Sequence, residues 1–179
     1  MKSPFKTILI SAFGAMAVFS AVTYSSCEVE KCKSIVCANG GVCSDGFCLC
    51  PTGYEGPQCE TVNRARYIAP WTVTENGSIT DAAQYSISIV AGDNISELKI
   101  KNFRNLLVGL VKAYVQGDTL YIPQQVVDSQ EVIGTGILED DKFYGRYGKL
   151  TVRYKITDLR TGNTDDFGIE GPDASLWNK

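Results

Sequence analysis

Residues 32–59 read CKSIVCANGGVCSDGFCLCPTGYEGPQC and hold six of the seven cysteines of this 179-residue chain. Turn dipeptides lie between the cysteines at Asn39-Gly40 and Asp45-Gly46. A segment of about 28 residues cannot bury a core large enough to fold alone, so covalent cross-links are expected. The stretch therefore predicts a disulfide-stapled module. Its spacing, C-x4-C-x5-C-x4-C-x-C-x8-C, leaves the pairing open.

A structural zinc site is the alternative for clustered cysteines. Such sites arrange four ligands as short C-x2-4-C pairs that a longer gap separates, and the present spacing does not follow that pattern. Disulfides persist in oxidising compartments, so we expect the chain to be exported.

The end of this segment is similar to EGF-like modules. The motif that carries the resemblance consists of Cys48, Cys50, Pro51, Gly53, Tyr54, Gly56 and Cys59. The resemblance implies three disulfides, which join Cys32 to Cys43, Cys37 to Cys48, and Cys50 to Cys59. It also implies a spacer or binding module, and the fold alone assigns no ligand.

Calcium-binding EGF-like modules carry an acidic consensus before the first cysteine. Here Glu28-Val29-Glu30-Lys31 ends in a lysine. The residues between Cys43 and Cys48 are too few for the second part of the family pattern. We therefore expect no calcium, no other metal and no cofactor, because oxygen ligands for a 6–8 coordinate ion are not evident.

The N-terminal 26 residues have the layout of a secretory signal. Lys2 and Lys6 precede an apolar stretch from Ile8 to Val22. That stretch is shorter than the ~20 residues a membrane-spanning helix needs, so an uncleaved anchor is the less favoured alternative. Residues 1–26 are the predicted signal peptide.

Ser25 and Ser26 before Cys27 resemble the lipobox of bacterial lipoproteins, although Tyr24 stands where Leu is usual. The resemblance implies cleavage before Cys27, diacylglycerol on its thiol and an acyl chain on its amine. Two or more acyl chains anchor a protein stably to a membrane. The alternative is ordinary cleavage, with Cys27 left as a free thiol or an intermolecular partner. An odd cysteine in an exported chain favours the lipid.

The residues after Cys27 bear on location. Glu28 and Glu30 resemble the surface-export signals of Bacteroidota lipoproteins, and this implies a bacterial outer-membrane protein exposed at the cell surface. Residues 27–31 are the predicted acidic, lipidated tether, and residues 32–60 are the predicted EGF-like module.

Residues 61–179 contain no cysteine, so a core must hold this part together. Apolar residues alternate with polar ones at 85–90, 98–101 and 150–157, as in half-buried antiparallel strands. Turn signals lie at 75–77, 92–94, 117–118, 139–141 and 161–163. This pattern predicts an all-β antiparallel meander, closed as a barrel or folded as a sandwich. The meander resembles lipocalin-like barrels.

Two segments of this domain need interpretation. Leu106–Val115 fits helical spacing as well, but Gly109 and the valines favour a strand. The lipocalin resemblance is carried by Ala69-Pro70-Trp71, which lacks the usual glycine of Gly-x-Trp. We expect Trp71 to be a core indole.

Catalytic signals are sparse. The chain has no histidine, which excludes Ser-His-Asp and Cys-His catalysis. Gly134-Thr135-Gly136 lacks the third glycine of a phosphate loop and predicts a β-bulge or close strand packing. The carboxylate candidates are expected to be solvated in turns, so we predict that the chain is not an enzyme. These candidates are Asp128, Glu131, Asp140, Asp141, Asp165 and Asp166.

The predicted function is that of a non-catalytic, membrane-anchored lipoprotein that presents its β-domain on an EGF-like stalk, in envelope interaction or structure. Loss of residues 1–26 removes two lysines and no acids, so the net charge changes from −3 to −5 and nucleic acid is not an expected partner. The expected partners are the membrane, through lipid on Cys27, and a protein or small apolar ligand at the β-domain. The alternative function is an apolar-ligand carrier, which requires an interior cavity of ~300 Å³ or more.

Overall fold

The computed structural model describes residues 31–171 and 173–179, and Cys27 and the predicted signal peptide lie outside this part. The described strands are β1 Val42–Ser44, β2 Phe47–Leu49, β3 Tyr54–Glu55, β4 Thr61–Val62, β5 Ala69–Glu75, β6 Ala83–Ala91, β7 Glu97–Lys101, β8 Val111–Gln116, β9 Thr119–Val127, β10 Gln130–Asp141, β11 Gly145–Asp158, β12 Thr164–Phe167 and β13 Ser175–Asn178. Short 3₁₀ turns cover Asn63–Arg66 and Phe103–Asn105. Within these described ranges, no helix has the length and apolar character needed to cross a membrane.

The disulfide module (residues 32–60) is built on the β1–β2 hairpin. Three disulfides staple it, with Cα–Cα distances of 5.8 Å for Cys32–Cys43, 5.6 Å for Cys37–Cys48 and 5.2 Å for Cys50–Cys59. These are the pairings that the resemblance to EGF-like modules implies. Asn39 and Asp45 both adopt positive φ, as residues at tight turns do.

The β-domain is an eight-stranded antiparallel barrel, so the predicted all-β meander is confirmed and takes the barrel form. Strands β5 to β11 pair in chain order, β11 pairs with β13, and β13 pairs with β5, which closes the sheet. Strand β12 pairs with the second half of β11, beyond the stretch that β13 occupies. Closure leaves these eight strands without a free edge on which another chain could build a sheet.

The barrel interior is packed with large side chains. Trp71 and Trp177 are each 1% exposed. The ring of Tyr154 stacks on Phe167 with centroids 4.4 Å apart, and Phe103 meets Tyr154 edge-on at 5.0 Å. The remaining buried core residues are aliphatic or aromatic and lie in the strands, just before β5 or in the loop after β7: Tyr67, Val73, Ile87, Ile89, Leu98, Ile100, Leu107, Val111, Ala113, Val115, Leu120, Ile122, Val132, Leu138, Leu150, Val152 and Ile156.

Gly134 makes room for this packing. A Cβ atom at Gly134 would lie 2.5 Å from the Cβ of Tyr154 and 2.6 Å from the carbonyl oxygen of Arg153. The backbone of β10 therefore approaches β11 where only glycine fits, which is the close strand packing that the Gly-x-Gly pattern predicts.

Two details of the predicted elements are wrong. The strand predicted over Leu106–Val115 begins only at Val111, because the chain first passes through a loop that Asp128 holds by accepting hydrogen bonds from the backbone N–H groups of Val108 (2.7 Å) and Gly109 (2.8 Å). The turn predicted at 139–141 is strand, since these residues extend β10 and pair with β11 across a bulge.

The barrel has two dissimilar ends. The module end carries the β6–β7, β8–β9 and β10–β11 turns, and the disulfide module packs here: Asn63 donates its N–H to the carbonyl of Gly53 (3.0 Å). Arg66 joins Glu55 of the module to Asp118 of the β8–β9 turn. The distal end carries the loops at 76–82, 102–110, 128–129 and 159–163.

Candidate functional site

Arg104, in a loop at the distal end, contacts acidic residues of β5 and β12. Arg104 follows β7 and adopts positive φ, as do its neighbours Asn102 and Asn105. Its guanidinium donates to Asp165 on β12, with Nη2 and Oδ2 2.7 Å apart, and to Glu75 at the end of β5, with Nη1 and Oε1 3.4 Å apart. The guanidinium also lies 4.6 Å from the centre of the Phe167 ring. Backbone strain of this kind persists where surrounding contacts compensate for it.

Asp165 ties a second loop to this arginine. It accepts hydrogen bonds from the N–H of Ile79 (3.0 Å) and the hydroxyl of Ser78 (3.4 Å) in the β5–β6 loop. A Cβ atom at Gly77 would lie 2.3 Å from Oδ1 of Asp165, so the loop passes close over the carboxylate. The prediction that Asp165 is solvated in a turn is wrong: the residue lies in a strand and is 4% exposed.

Glu75 is a buried acceptor at the centre of this arrangement. Its carboxylate accepts from the hydroxyls of Tyr85 (2.6 Å), Tyr154 (2.9 Å) and Ser175 (2.6 Å), in addition to Arg104. A carboxylate offers about four lone-pair sites, and four donors occupy them. Glu75 therefore has no free lone pair with which to accept a further hydrogen bond.

Burial also shapes the titration of the tyrosines. Burial, followed by the negative charge of Glu75, raises the pKa of Tyr85 well above its usual range. Burial also raises the pKa of Tyr154, and the neighbouring Tyr85 and Glu75 reinforce the effect. Both phenols therefore keep their protons, and remain donors to Glu75, to a higher pH than exposed tyrosines do. The group Glu75, Tyr85, Arg104, Tyr154, Asp165 and Ser175 is called the Arg104 cluster below.

Two surface crevices flank Arg104 at the distal end. One, of about 290 Å³, is lined by Ile79, Thr80, Arg104, Leu106, Gln130, Ile156, Asp158, Thr161, Asn163 and Asp165. The other, of about 380 Å³, is lined by Thr80, Ala83, Gln84, Tyr85, Arg104, Asn105 and Leu106. They share Thr80, Arg104 and Leu106, so together they offer hydrogen-bonding groups beside exposed aliphatic side chains. Crevices that combine apolar walls with a few polar groups are candidate binding sites.

Exposed aliphatic side chains surround the crevices. Val108 is 94% exposed, Ile79 62% and Leu106 60%. Asp128 fixes the loop that carries Leu106 and Val108 through the two backbone hydrogen bonds described above. The exposed side chains of Leu106 and Val108 therefore project from a loop whose backbone is fixed by hydrogen bonds. Clusters of exposed apolar residues mark interaction sites.

The other carboxylates named from the sequence do not converge on one place. Asp141 accepts the N–H groups of Phe143 and Tyr144, and Asp140 accepts that of Tyr147. Glu131 accepts a hydrogen bond from the side chain of Gln124, while Asp166 accepts the N–H groups of Ile169 and Glu170 and pairs with Lys155. Most of them fix local turns, and among the described residues no group of three or more His, Cys, Asp or Glu side chains is arranged to hold a metal ion.

The comparisons with known proteins concern the disulfide module. Residues 34–62 match the family described as Teneurin-like EGF domain. The N-terminal module is an EGF-like domain. The chain is 51% identical to mouse (Mus musculus) Hedgehog-interacting protein over 39 residues, which is 21% of this chain and 5% of that protein. It is 37% identical to pig (Sus scrofa) tissue-type plasminogen activator over 67 residues, 30% of this chain and 12% of that protein.

These similarities are local. The chain spans 12% or less of the length of either relative, so they identify the EGF-like module and say nothing of the barrel. The matched residues contain Cys37, Cys43, Cys48, Cys50 and Cys59, which supply five of the six half-cystines of the module.

Sequence reasoning missed the Arg104 cluster. Part of the signal was present: Trp71 and Val73 point inward on β5, and the period of two places Glu75 on the same inner face. An acidic residue at an inward position indicates a buried partner. Nothing in the local sequence identifies that partner as Arg104, because it comes from a loop whose path is set by tertiary contacts.

Proposed function

We propose that the chain is a non-catalytic lipoprotein, anchored through lipid on Cys27, whose EGF-like module holds the barrel away from the membrane for interaction at the cell envelope. The observation that supports this most is that the EGF-like module and the surface crevices lie at opposite ends of the barrel. The EGF-like module packs on the module end, where Gly53 contacts Asn63 and Glu55 pairs with Arg66. The crevices and Val108 lie at the distal end. A chain anchored before the module would present the distal end outward.

The anchoring step is tested by Cys27→Ala in a bacterial host that processes lipoproteins. Unchanged Cys27 should incorporate labelled fatty acid and remain with membranes, whereas Cys27→Ala should do neither. Glu30→Ala, three residues further along, is the matched control and should keep the label. A Cys27→Ala protein that still carries label would overturn the proposed anchor.

The outward contact is tested by placing a photocrosslinking amino acid at one exposed position at each end. Val108 is 94% exposed at the distal end, and Phe143 is 86% exposed at the module end. A discrete adduct from position 108 but not from position 143, in intact cells, would support a partner at the distal end. The reverse pattern would contradict it.

We do not propose the apolar-ligand carrier or an enzyme. The carrier needs interior space for a ligand, and the ring of Tyr154 in the interior stacks on Phe167 and meets Phe103 edge-on. An acid–base enzyme needs an accessible carboxylate, and those of the Arg104 cluster are enclosed, with Glu75 saturated by its four donors.

A further inference from the structure

An apolar surface on the EGF-like module is left uncovered. Val42 is 66% exposed, Phe47 75% and Leu49 62%. Val42 lies directly opposite Leu49 across the β1–β2 hairpin, and Phe47 lies opposite Ser44. Residues two apart on a strand point to the same side, so the three apolar side chains share one side of the hairpin. This set is called the hairpin face.

The hairpin face is not part of the module's own packing. The cysteines between these residues, Cys43 and Cys48, point to the opposite side and form the disulfides with Cys32 and Cys37. Single exposed apolar residues are ordinary, but an aligned group on so small a module indicates a contact surface.

The β1–β2 hairpin lies beside the point where the proposed tether joins the module. The Cα atoms of Cys32 and Cys43 are 5.8 Å apart, and Cys43 is flanked by Val42. Five residue steps separate Cys27 from Cys32, and they span at most about 17 Å when fully extended. Lipid on Cys27 therefore keeps the hairpin within reach of the membrane surface.

We propose that the hairpin face rests in the interfacial layer of the membrane that holds Cys27, and so fixes the orientation of the stalk. This inference rests on the proposed lipid anchor. Apolar faces of interfacial segments sink about 5–10 Å into the boundary between headgroups and acyl chains, and aliphatic and aromatic side chains suit that layer. The contact supplements the acyl chains and orients the stalk relative to the membrane.

A second copy of the chain fits the hairpin face less well. Stable protein interfaces use about 20–30 residues from each partner, and this surface offers three large apolar side chains on one hairpin. A lipid layer has no such requirement, because it adapts its shape to a small surface.

The experiment uses full-length lipidated protein in phosphatidylcholine vesicles whose acyl chains carry bromine near the carbonyl end, which quenches nearby indoles. Phe47→Trp reports on the hairpin face, and Val108→Trp is the matched control at the distal end. The native Trp71 and Trp177 are each 1% exposed and give a constant background. We expect the added emission at position 47 to fall by about half or more, since interfacial burial reaches the bromine depth, and emission at position 108 to be unchanged.

Adding Val42→Ser and Leu49→Ser to the Phe47→Trp protein should remove most of the quenching without altering the disulfides. Fatty-acid labelling of the same samples separates the two claims. Lipid on Cys27 without quenching at position 47 overturns this inference alone, as does equal quenching at positions 47 and 108. Absence of lipid on Cys27 overturns the proposed function, and this inference with it.

Discussion

The guanidinium of Arg104 and the carboxylate of Asp165 form an ion pair with a nitrogen–oxygen distance of 2.7 Å across 61 positions of sequence. Their side chains are 13% and 5% exposed. The pair joins the loop after β7 to β12, and Asp165 in turn holds the β5–β6 loop. The ion pair thereby connects two distal-end loops that carry exposed aliphatic residues.

Removing one partner of this pair should destabilise the barrel strongly. In Asp165→Asn, the buried charge of Arg104 loses its closest partner, and breaking a buried pair costs about 3–5 kcal/mol. The free energy of unfolding from urea titration, followed by tryptophan fluorescence, measures the loss. Asp93→Asn is the control: Asp93 pairs with Lys99 at 2.8 Å but is 75% exposed, and we expect no measurable change. Equal effects of the two substitutions would contradict the role assigned to burial.

Gly134→Ala should also lower stability. The added methyl group would lie 2.5 Å from Cβ of Tyr154 and against the Arg153 carbonyl, so the two strands must separate. Overpacking of this kind costs about 1–3 kcal/mol. At Gly171 the nearest atom to an added Cβ is 3.7 Å away, and Gly171→Ala should leave the unfolding curve unchanged. A neutral Gly134→Ala would mean that β10 has more room than the structure indicates.

Stability should decline at alkaline pH through the buried tyrosines. The pKa values of Tyr85 and Tyr154 are raised in the folded state by burial and by the charge of Glu75, whereas the unfolded phenols ionise near ~10. The folded state thus holds its phenol protons more tightly, and the stability this contributes is complete below pH ~10 and is lost as pH rises above it. Urea titrations from pH ~8 to ~11 should show the decline. It should be shallower in Tyr85→Phe, and a decline unchanged by that substitution would contradict the assignment.

Reduction of the disulfides should unfold the EGF-like module and leave the barrel folded. Each disulfide contributes about 2–4 kcal/mol by restricting the unfolded module, and residues 61–179 contain no cysteine. Reductant should therefore unfold the EGF-like module while the emission of the buried Trp71 and Trp177 is preserved. Hydrogen exchange resolved along the chain would record both events, and simultaneous loss of protection in β5–β13 would contradict independent folding of the barrel.

Much of the architecture could be predicted from the sequence, because strand alternation and cysteine spacing are local sequence patterns. Strands at 85–90, 98–101 and 150–157 follow from a period of two, and all three lie within observed strands. The cysteine spacing and the Gly53-Tyr54 signature identified the EGF-like module. Barrel closure was left open, because it depends on β13 returning to β5, and no local pattern specifies that pairing.

Most of the candidate site could not be predicted from the sequence. Asp165 looks like a turn carboxylate in its local context, and only the approach of Arg104 makes its burial favourable. The segment at 106–110 has strand-like composition, but the left-handed residues Asn102 and Arg104 and the carboxylate of Asp128 direct it into a loop. Such outcomes depend on contacts between residues distant in sequence.

The most direct test of the account is the intact mass of the mature protein purified from a bacterial host, together with sequencing of its N-terminal peptide. We predict that the chain begins at Cys27, with diacylglycerol on its sulfur and an acyl chain on its amine. A mature chain that begins elsewhere, or a Cys27 with an unmodified thiol, would contradict the lipid anchor on which the proposed function rests.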